Sequence, residues 1–163
     1  ACFARQLELA RSSGCQILAD YVRALIDGAN LKSLVRTLRL KKDAAFLREL
    51  LLPGGTVSPE RIVQHGFSSS AAELFAGSAL AQAAQAAEAA AAGGSLTELE
   101  RLCDNAALNV IGRARRVPFG VEVPVGYVAA RENELMSVRL VITGLLAGIP
   151  ADQIRERLRE TYA

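Results

Sequence analysis

The feature that most constrains this chain is an internal repeat, in which the sequence around Asp27 returns around Glu134, 107 positions later. At that offset apolar residues align with apolar residues and basic residues with basic ones. The other aligned pairs are Asn30 with Ser137, Leu31 with Val138, Lys32 with Arg139, Leu34 with Val141, Val35 with Ile142, Leu38 with Leu145, Ala44 with Ala151, Leu47 with Ile154, Arg48 with Arg155, Glu49 with Glu156 and Leu51 with Leu158. Similarity at a fixed offset indicates copies of one structural unit. The sequence therefore predicts repeated helix-turn-helix units related by internal pseudo-symmetry.

The spacing of apolar residues predicts an all-α fold. From position 15 to 38 they recur every three or four residues, as on one face of a helix. A second run of this kind predicts the buried face of a long helix that Pro124 opens: Tyr127, Leu135, Val138, Val141, Ile142 and Leu145. Ala, Leu and Arg abound, and these residues favour helices because they lose little side-chain freedom there. We find no segment with a strand pattern.

Local signals predict the helix boundaries. Short polar side chains that can accept a hydrogen bond from the first turn are favoured at N-caps. The predicted N-caps are Asp43, Ser58, Ser70 and Ser95. Glycine and proline predict helix ends at 53–55, 93–94 and 148–150.

Between two of these caps lies an Ala-rich segment, residues 71–92, which we expect to be one helix. Low-complexity disorder is the alternative. The sequence predicts a first helical repeat unit over 1–66. A second unit follows over 67–163, in which the Ala-rich helix precedes residues 95–163. The two units together are expected to form one compact body.

The composition and the motifs provide no basis for an active site. With 19 basic and 17 acidic side chains, the net charge of +2 does not favour nucleic acid or an acidic membrane surface. His65 is the single histidine, and the three cysteines are scattered, so we predict no metal, no cofactor and no catalytic residues. No apolar run approaches the ~20 residues that cross a bilayer. An odd number of cysteines fits a reducing compartment.

Two charged features have alternative interpretations. Arg131 and Glu134 are three residues apart, and Arg23 and Asp27 are four apart, so each pair can form an ion pair on a helix. These pairs are either solvated or part of a polar band that contacts a partner. The basic residues within 113–116 either complement a helix C-terminus or bind phosphate.

Three segments together resemble the C subunit family of V-type rotary ATPases, whose eukaryotic counterpart is the d subunit. They are IDGANLKSLVR at 26–36, LLPGG at 51–55 and PFGVEVPVGYVAARENELMSVRLVITGLLAGIPADQIRERLRETYA at 118–163. The last segment has, in order, a Phe-Gly, a proline, a tyrosine, an acidic-Asn-Glu cluster, an arginine in an apolar run, a Gly-x-Pro and an Ile-Arg-x-Arg-Leu helix. The resemblance covers about the C-terminal half to two thirds of the family, without its first unit, and position 1 is not Met.

This resemblance implies a non-catalytic central-stalk subunit of a proton- or sodium-translocating V/A-type ATPase or ATP synthase. Three similar helical units around a pseudo-threefold axis would form a funnel. The funnel would be a socket between the central shaft and the membrane rotor ring, in the cytoplasm and peripheral to the membrane through the complex. The resemblance implies these partner-interface residues: Asp27, Asn30, Lys32, Arg131, Glu132, Asn133, Glu134 and Arg139.

The chain departs from the motif at Ser137, where the first repeat has an asparagine. Repeat units contact their neighbours, so a chain with fewer units has exposed interfaces and self-association is expected. The competing hypothesis is an α-helical repeat scaffold that binds a soluble protein partner. An enzyme is the weakest alternative, because no catalytic motif is present.

Overall fold

The computed structural model describes residues 2–160, and within that span every regular element is helical. The predicted all-α class is confirmed. The elements are α1 (Cys2–Ser12), α2 (Gln16–Arg39), α3 (Ala44–Leu50), α4 (Pro59–His65), α5 (Ala71–Phe75), α6 (Ala81–Ala91), α7 (Leu96–Ile111), a 3-10 helix (Gly112–Arg116), α8 (Glu122–Leu146) and α9 (Ala151–Arg157).

Side-chain caps begin four of the helices, as the sequence predicts. The caps of α3, α4, α5 and α7 each accept a hydrogen bond from the backbone N–H three residues later. They are Asp43, Ser58, Ser70 and Ser95. Just after the C-terminal end of α8, Gly148 adopts a positive φ of 69°, a backbone conformation that favours glycine. These boundaries need only neighbouring residues to form.

Helix α2 lies at the centre of the fold, and its most extensive helix contact is with α7. At Gly28, on the side of α2 that faces α7, a Cβ would lie 3.5 Å from the Cβ of Cys103 and 3.6 Å from a methyl of Leu80, so even an alanine would make only ordinary van der Waals contact there. On the other side of α2, Ile26 packs with Leu7 of α1. Helix α2 is therefore covered on two sides.

The Ala-rich segment forms two helices, so the prediction of one helix over 71–92 is wrong. A turn at Gly77–Ser78 separates α5 from α6. The Ser78 hydroxyl stabilises this turn, because it donates to the Phe75 carbonyl at 2.8 Å and accepts from the Leu80 amide at 3.1 Å. One side of α6 is buried through Ala83, Ala84, Ala87 and Ala90, and these small side chains let α6 pack closely on its neighbours.

One main core cluster joins residues from Ala24 in α2 to Val110 in α7, so it crosses position 66. The division into units at 1–66 and 67–163 stays a prediction, as does the internal pseudo-symmetry. Helix α9 packs on α8 where Ile154 contacts Gly144. The four-residue spacing of Ile154, Leu158 and Tyr162 predicts an apolar stripe on this last helix, and Tyr162 lies outside the described residues.

Candidate protein interface

The eight predicted interface residues fall into two groups on different helices. Three lie on α2 and five on α8, and they differ sharply in burial. Asp27, Asn30 and Asn133 are buried. Lys32 is partly exposed, and Arg131, Glu132, Glu134 and Arg139 are exposed. The set is therefore not one continuous surface of the described chain.

Asp27 has an internal role, because its carboxylate anchors the loop that follows α3. It accepts hydrogen bonds from the backbone N–H groups of Thr56 at 3.1 Å and Val57 at 3.2 Å. A Cβ at Gly55 would clash with an oxygen of this carboxylate, so the close approach requires glycine. Burial raises the pKa of Asp27, and the two backbone hydrogen bonds oppose that effect. The loop glycine thus serves a tertiary contact.

Asn30 holds the same loop one turn further along α2. Its amide donates to the Leu52 carbonyl at 2.9 Å and its oxygen accepts from the Leu52 N–H at 2.8 Å. The side chain has 0% exposure. Asp27 and Asn30 together fix both ends of the loop, and both side chains are used within the chain.

Lys32 lies in a charged cluster between α2, α7 and the segment after α9. Its ammonium is 3.8 Å from Asp104, which Arg159 also contacts at 2.7 Å. The predicted pair between Arg23 and Asp27 is wrong, because Arg23 contacts Asp20 at 3.1 Å instead. The reason is that the Asp27 carboxylate is occupied by the backbone of the loop.

On α8, the predicted pair between Arg131 and Glu134 is confirmed, and both side chains are more than half exposed. Glu132 lies near Tyr21. The pKa of Tyr21 is raised, chiefly because the side chain is buried and to a lesser extent because of the negative charge of Glu132. Asn133 points inward and donates to the Glu160 carbonyl at 3.0 Å. Whether the exposed charges contact a partner stays a prediction.

The side of α8 that lies opposite its buried residues Gly126, Asn133 and Gly144 is exposed, which the sequence pattern did not predict. We call this surface the outer face of α8: Tyr127, Val128, Leu135, Val138, Ile142, Leu145 and Leu146. Each of these side chains is more than half exposed. The prediction that this helical face is buried core is therefore wrong. Among residues 2–160, helix α8 is buried along one side, at Gly126, Asn133 and Gly144.

The positions of α2 that align with this face of α8 differ from it in burial. Leu31 has 0% exposure, because α6 and α7 cover that side of α2. Val138, its counterpart at the repeat offset, has 54% exposure. The sequence signal for this surface is that α8 carries apolar residues on all sides, because a helix of that kind is normally covered on all sides by other segments. One of those sides is open in the described chain.

A cleft of about 430 Å³ lies between α7, α8 and α9. Arg101, Arg139 and Arg157 line it together with Asp104. The basic residues of 113–116 lie elsewhere, in the 3-10 helix at the C-terminal end of α7. That location agrees with complementing the helix dipole.

Within residues 2–160, no cluster of three or more His, Cys, Asp and Glu side chains is arranged to hold a metal. His65 is exposed at the end of α4. None of the helices described has the length and apolar character required to cross a bilayer.

Comparison with known proteins gives the family. The C subunit of the A-type ATP synthase from Thermococcus onnurineus (strain NA1) is 27% identical over 145 residues, which are 86% of this chain and 38% of that protein. The protein of the same name from Desulfurococcus sp. (strain SY) is 26% identical over the same shares. The chain thus spans 38% of the length of these relatives. No solved structure matches. The profile of the ATP synthase (C/AC39) subunit family matches residues 1–157, and the chain belongs to that family.

Proposed function

We propose that this protein is a non-catalytic central-stalk subunit of a V/A-type ATPase or ATP synthase. In this role it is a socket that couples the rotor shaft to the membrane rotor ring. The family match over residues 1–157 carries the proposal. The name of both relatives, which are C subunits of A-type ATP synthases, agrees with it. The protein would lie in the cytoplasm, peripheral to the membrane through the complex.

The packing of the helices suits a part that transmits torque. Such a part must deform little under load, and close-packed interiors have low compressibility. Helix α2 is buried on both sides, and Asp27 and Asn30 tie the loop at 51–57 to it. The core around α2 and α7 is then the stiff element, and the surface around it makes the contacts.

The proposed contacts to shaft or ring lie on the exposed charged residues of α8, with Lys32 on the α2–α7 side. They are Arg131, Glu132, Glu134 and Arg139. The buried members of the predicted set, Asp27, Asn30 and Asn133, would act indirectly, since they hold the backbone of neighbouring segments. Exposed charges chiefly set the orientation and rate of association.

Co-purification tests the proposal. The tagged protein is expressed with the shaft subunits and the rotor ring, and we expect both to be retained. Failure to retain either would refute the proposed role and favour a scaffold for a soluble partner.

A point variant tests the proposed surface. Glu134→Gln removes one charge and the ion pair with Arg131, at a cost of about 0.5 kcal/mol of stability. We expect weaker retention of the partner with an almost unchanged melting temperature. The matched control is Glu88→Gln, an exposed glutamate on α6. Equal retention of both variants and the wild type would exclude Glu134 from the interface.

A further inference from the structure

The turn between α2 and α3 concentrates positive charge that the composition as a whole conceals. Residues 36–42 contain four basic side chains and no acidic one, although the net charge of the whole chain is only +2. Two of the three lysines of the chain, Lys41 and Lys42, are adjacent here. We call residues 39–42 the α2 tip. The positive charge of the protein is thus unevenly distributed, and the rest of the chain is slightly negative.

Contacts within the chain neutralise only part of this charge. Arg36 pairs with Glu100 at 2.6 Å, and Arg39 contacts two backbone carbonyls after α6 at 3.4 and 3.5 Å. Lys41 and Lys42 are exposed, and neither forms an ion pair with another residue of 2–160. Their charges are therefore available to a partner.

The acidic residues that follow the α2 tip do not compensate for these two lysines. The carboxylate of Asp43 caps α3, where it accepts a hydrogen bond from the Phe46 N–H at 3.0 Å. Glu49 lies near the other end of α3 and is exposed. The α2 tip keeps its positive charge as a result.

The backbone of the α2 tip has an unusual conformation. Lys41 has a φ of 50°, and among residues 2–160 no other residue except glycine has a positive φ. Glycines adopt this conformation after α1, α6 and α8, since a Cβ makes it less favourable. Two backbone hydrogen bonds of 3.1 Å close the turn, from Lys41 to Leu38 and from Lys42 to Thr37. A lysine thus stands where glycine would be more stable, and such outliers accumulate at functional sites.

Leu40 adds an exposed apolar side chain to the α2 tip. It is the C-cap of α2, with 62% of its surface exposed, and the two lysines follow it directly. An apolar side chain beside lysines suits the surface of a membrane. There the apolar group enters the boundary between headgroups and acyl chains, and the ammonium groups bind anionic headgroups.

We propose that the α2 tip binds the surface of membranes that contain anionic phospholipids. Leu40 inserts among the headgroups, and Lys41 and Lys42 bind their phosphate and carboxylate groups. Arg39 adds a third positive charge behind them. The surface is separate from Lys32 and from the exposed charges of α8. The inference goes beyond the proposed function and does not depend on it.

The size and chemistry of the α2 tip favour lipid over an acidic protein segment. A standard protein interface covers about 800 Å² per partner, more than four residues offer. Lysine is depleted in protein interfaces, whereas its compact charge binds headgroups without a fixed geometry. Each basic residue near an anionic membrane strengthens binding roughly fivefold. Three cations and one leucine therefore predict half-maximal binding at about 1 mM lipid.

Sedimentation with vesicles tests the binding. The isolated 163-residue protein is mixed with vesicles of phosphatidylcholine, either alone or with phosphatidylserine. We expect binding to the vesicles with phosphatidylserine, little binding to those without it, and loss of binding at about 1 M salt, where charges are strongly screened. No binding to the anionic vesicles, or equal binding to both kinds, would overturn the proposal.

Charge removal tests the location of the contact. Lys41→Gln/Lys42→Gln should weaken vesicle binding roughly 25-fold, and Leu40→Ala roughly fivefold. The matched control is Arg11→Gln/Arg61→Gln, which removes two exposed charges on α1 and α4 and should change binding by about twofold or less. Equal weakening by the two double variants would show that net charge decides, and the α2 tip would lose its role.

Lys41→Gly separates a lipid contact from a structural role. Glycine relieves the unfavourable φ, so the melting temperature should rise by about 3 °C while vesicle binding weakens roughly fivefold. A lysine that only complements the helix dipole of α2 predicts the opposite, a lower melting temperature with unchanged vesicle binding. That outcome would contradict the proposal.

Acetylation of lysines locates the contact directly, because the chain has only three. Mass spectrometry should show that anionic vesicles protect Lys41 and Lys42. Lys32, which lies 3.8 Å from Asp104 on another part of α2, is the internal control and should react at an unchanged rate. Vesicle binding without protection of Lys41 and Lys42 would place the contact elsewhere and refute the proposal.

An acidic polypeptide is the competing partner. Polyglutamate that protects both lysines, when vesicles protect neither, would assign the α2 tip to an acidic protein segment and overturn the lipid proposal. None of these measurements includes the shaft subunits or the rotor ring. Failure of vesicle binding and failure of co-purification are therefore separate results.

Discussion

Replacing Asn30 with alanine tests whether this residue is an internal anchor. The substitution removes two hydrogen bonds to the backbone of Leu52, at 2.8 and 2.9 Å. Each contributes about 1 kcal/mol net, so their loss costs about 2 kcal/mol. The N–H and C=O groups of Leu52 then lack partners at a half-buried position, which adds about 1 kcal/mol. We expect the free energy of unfolding to fall by about 3 kcal/mol.

Urea unfolding followed by far-ultraviolet circular dichroism measures this value at one fixed protein concentration, because self-association makes stability depend on concentration. The matched control is Asn109→Ala, an exposed asparagine on α7, which should change stability by about 0.5 kcal/mol or less. A loss at Asn30 no larger than the control's would refute the anchoring role.

Three further predictions concern α8, Asp27 and the buried thiol. Gly144→Ala places a Cβ 2.8 Å from Ile154, and this overpacking should cost about 2 kcal/mol of stability. The higher helix propensity of alanine offsets about 1 kcal/mol of that cost. Urea unfolding should therefore show a net loss of about 1 kcal/mol. Burial raises the pKa of Asp27, so the folded chain binds this proton more readily than the unfolded chain. Stability contributed by Asp27 should therefore decrease as pH rises through the interval between the two pKa values, and Asp27→Asn should remove that slope in unfolding curves between pH 3 and 7. Burial also raises the pKa of the Cys103 thiol to about 12, so iodoacetamide at pH 8 should label exposed Cys2 first, as measured by mass spectrometry.

Each of these predictions has a result that contradicts it. If Gly144→Ala costs the same in an Ile154→Ala background, the contact between them is not the cause. If the advantage of the wild type over Asp27→Asn grows with pH, the hydrogen bonds from Thr56 and Val57 outweigh burial. Equal labelling of Cys103 and Cys2 in the folded protein would show that α2 and α7 open readily.

Helix type and helix starts were predictable because they depend on residues within one turn. The side chain of Ser95, for example, needs only the N–H three residues later to begin α7. The break in the Ala-rich segment was not predicted, although Gly77 and Ser78 are a local signal. The high helix propensity of the surrounding alanines masked it.

The roles of Asp27 and Asn30 depend on contacts that the sequence pattern does not contain. Their hydrogen-bond partners lie 22 to 30 residues away, in a loop whose position is set by how α3 and α4 pack. Polar residues that recur in a repeat look alike in sequence whether they bind a partner or their own backbone. The fold distinguishes them, because it buries these two and leaves Arg131 and Glu134 exposed.

The same distinction applies to α8. The amino-acid order of α8 establishes that it is helical and apolar on more than one side, since periodicity follows from the 3.6-residue turn. Whether a side is covered depends on which helices stand next to it, and periodicity carries no information about neighbours. In α2 both sides are covered, and in α8 the side with Leu135 and Val138 is open. Burial is a property of packing between distant segments, which is why the three-dimensional arrangement was needed to find this surface.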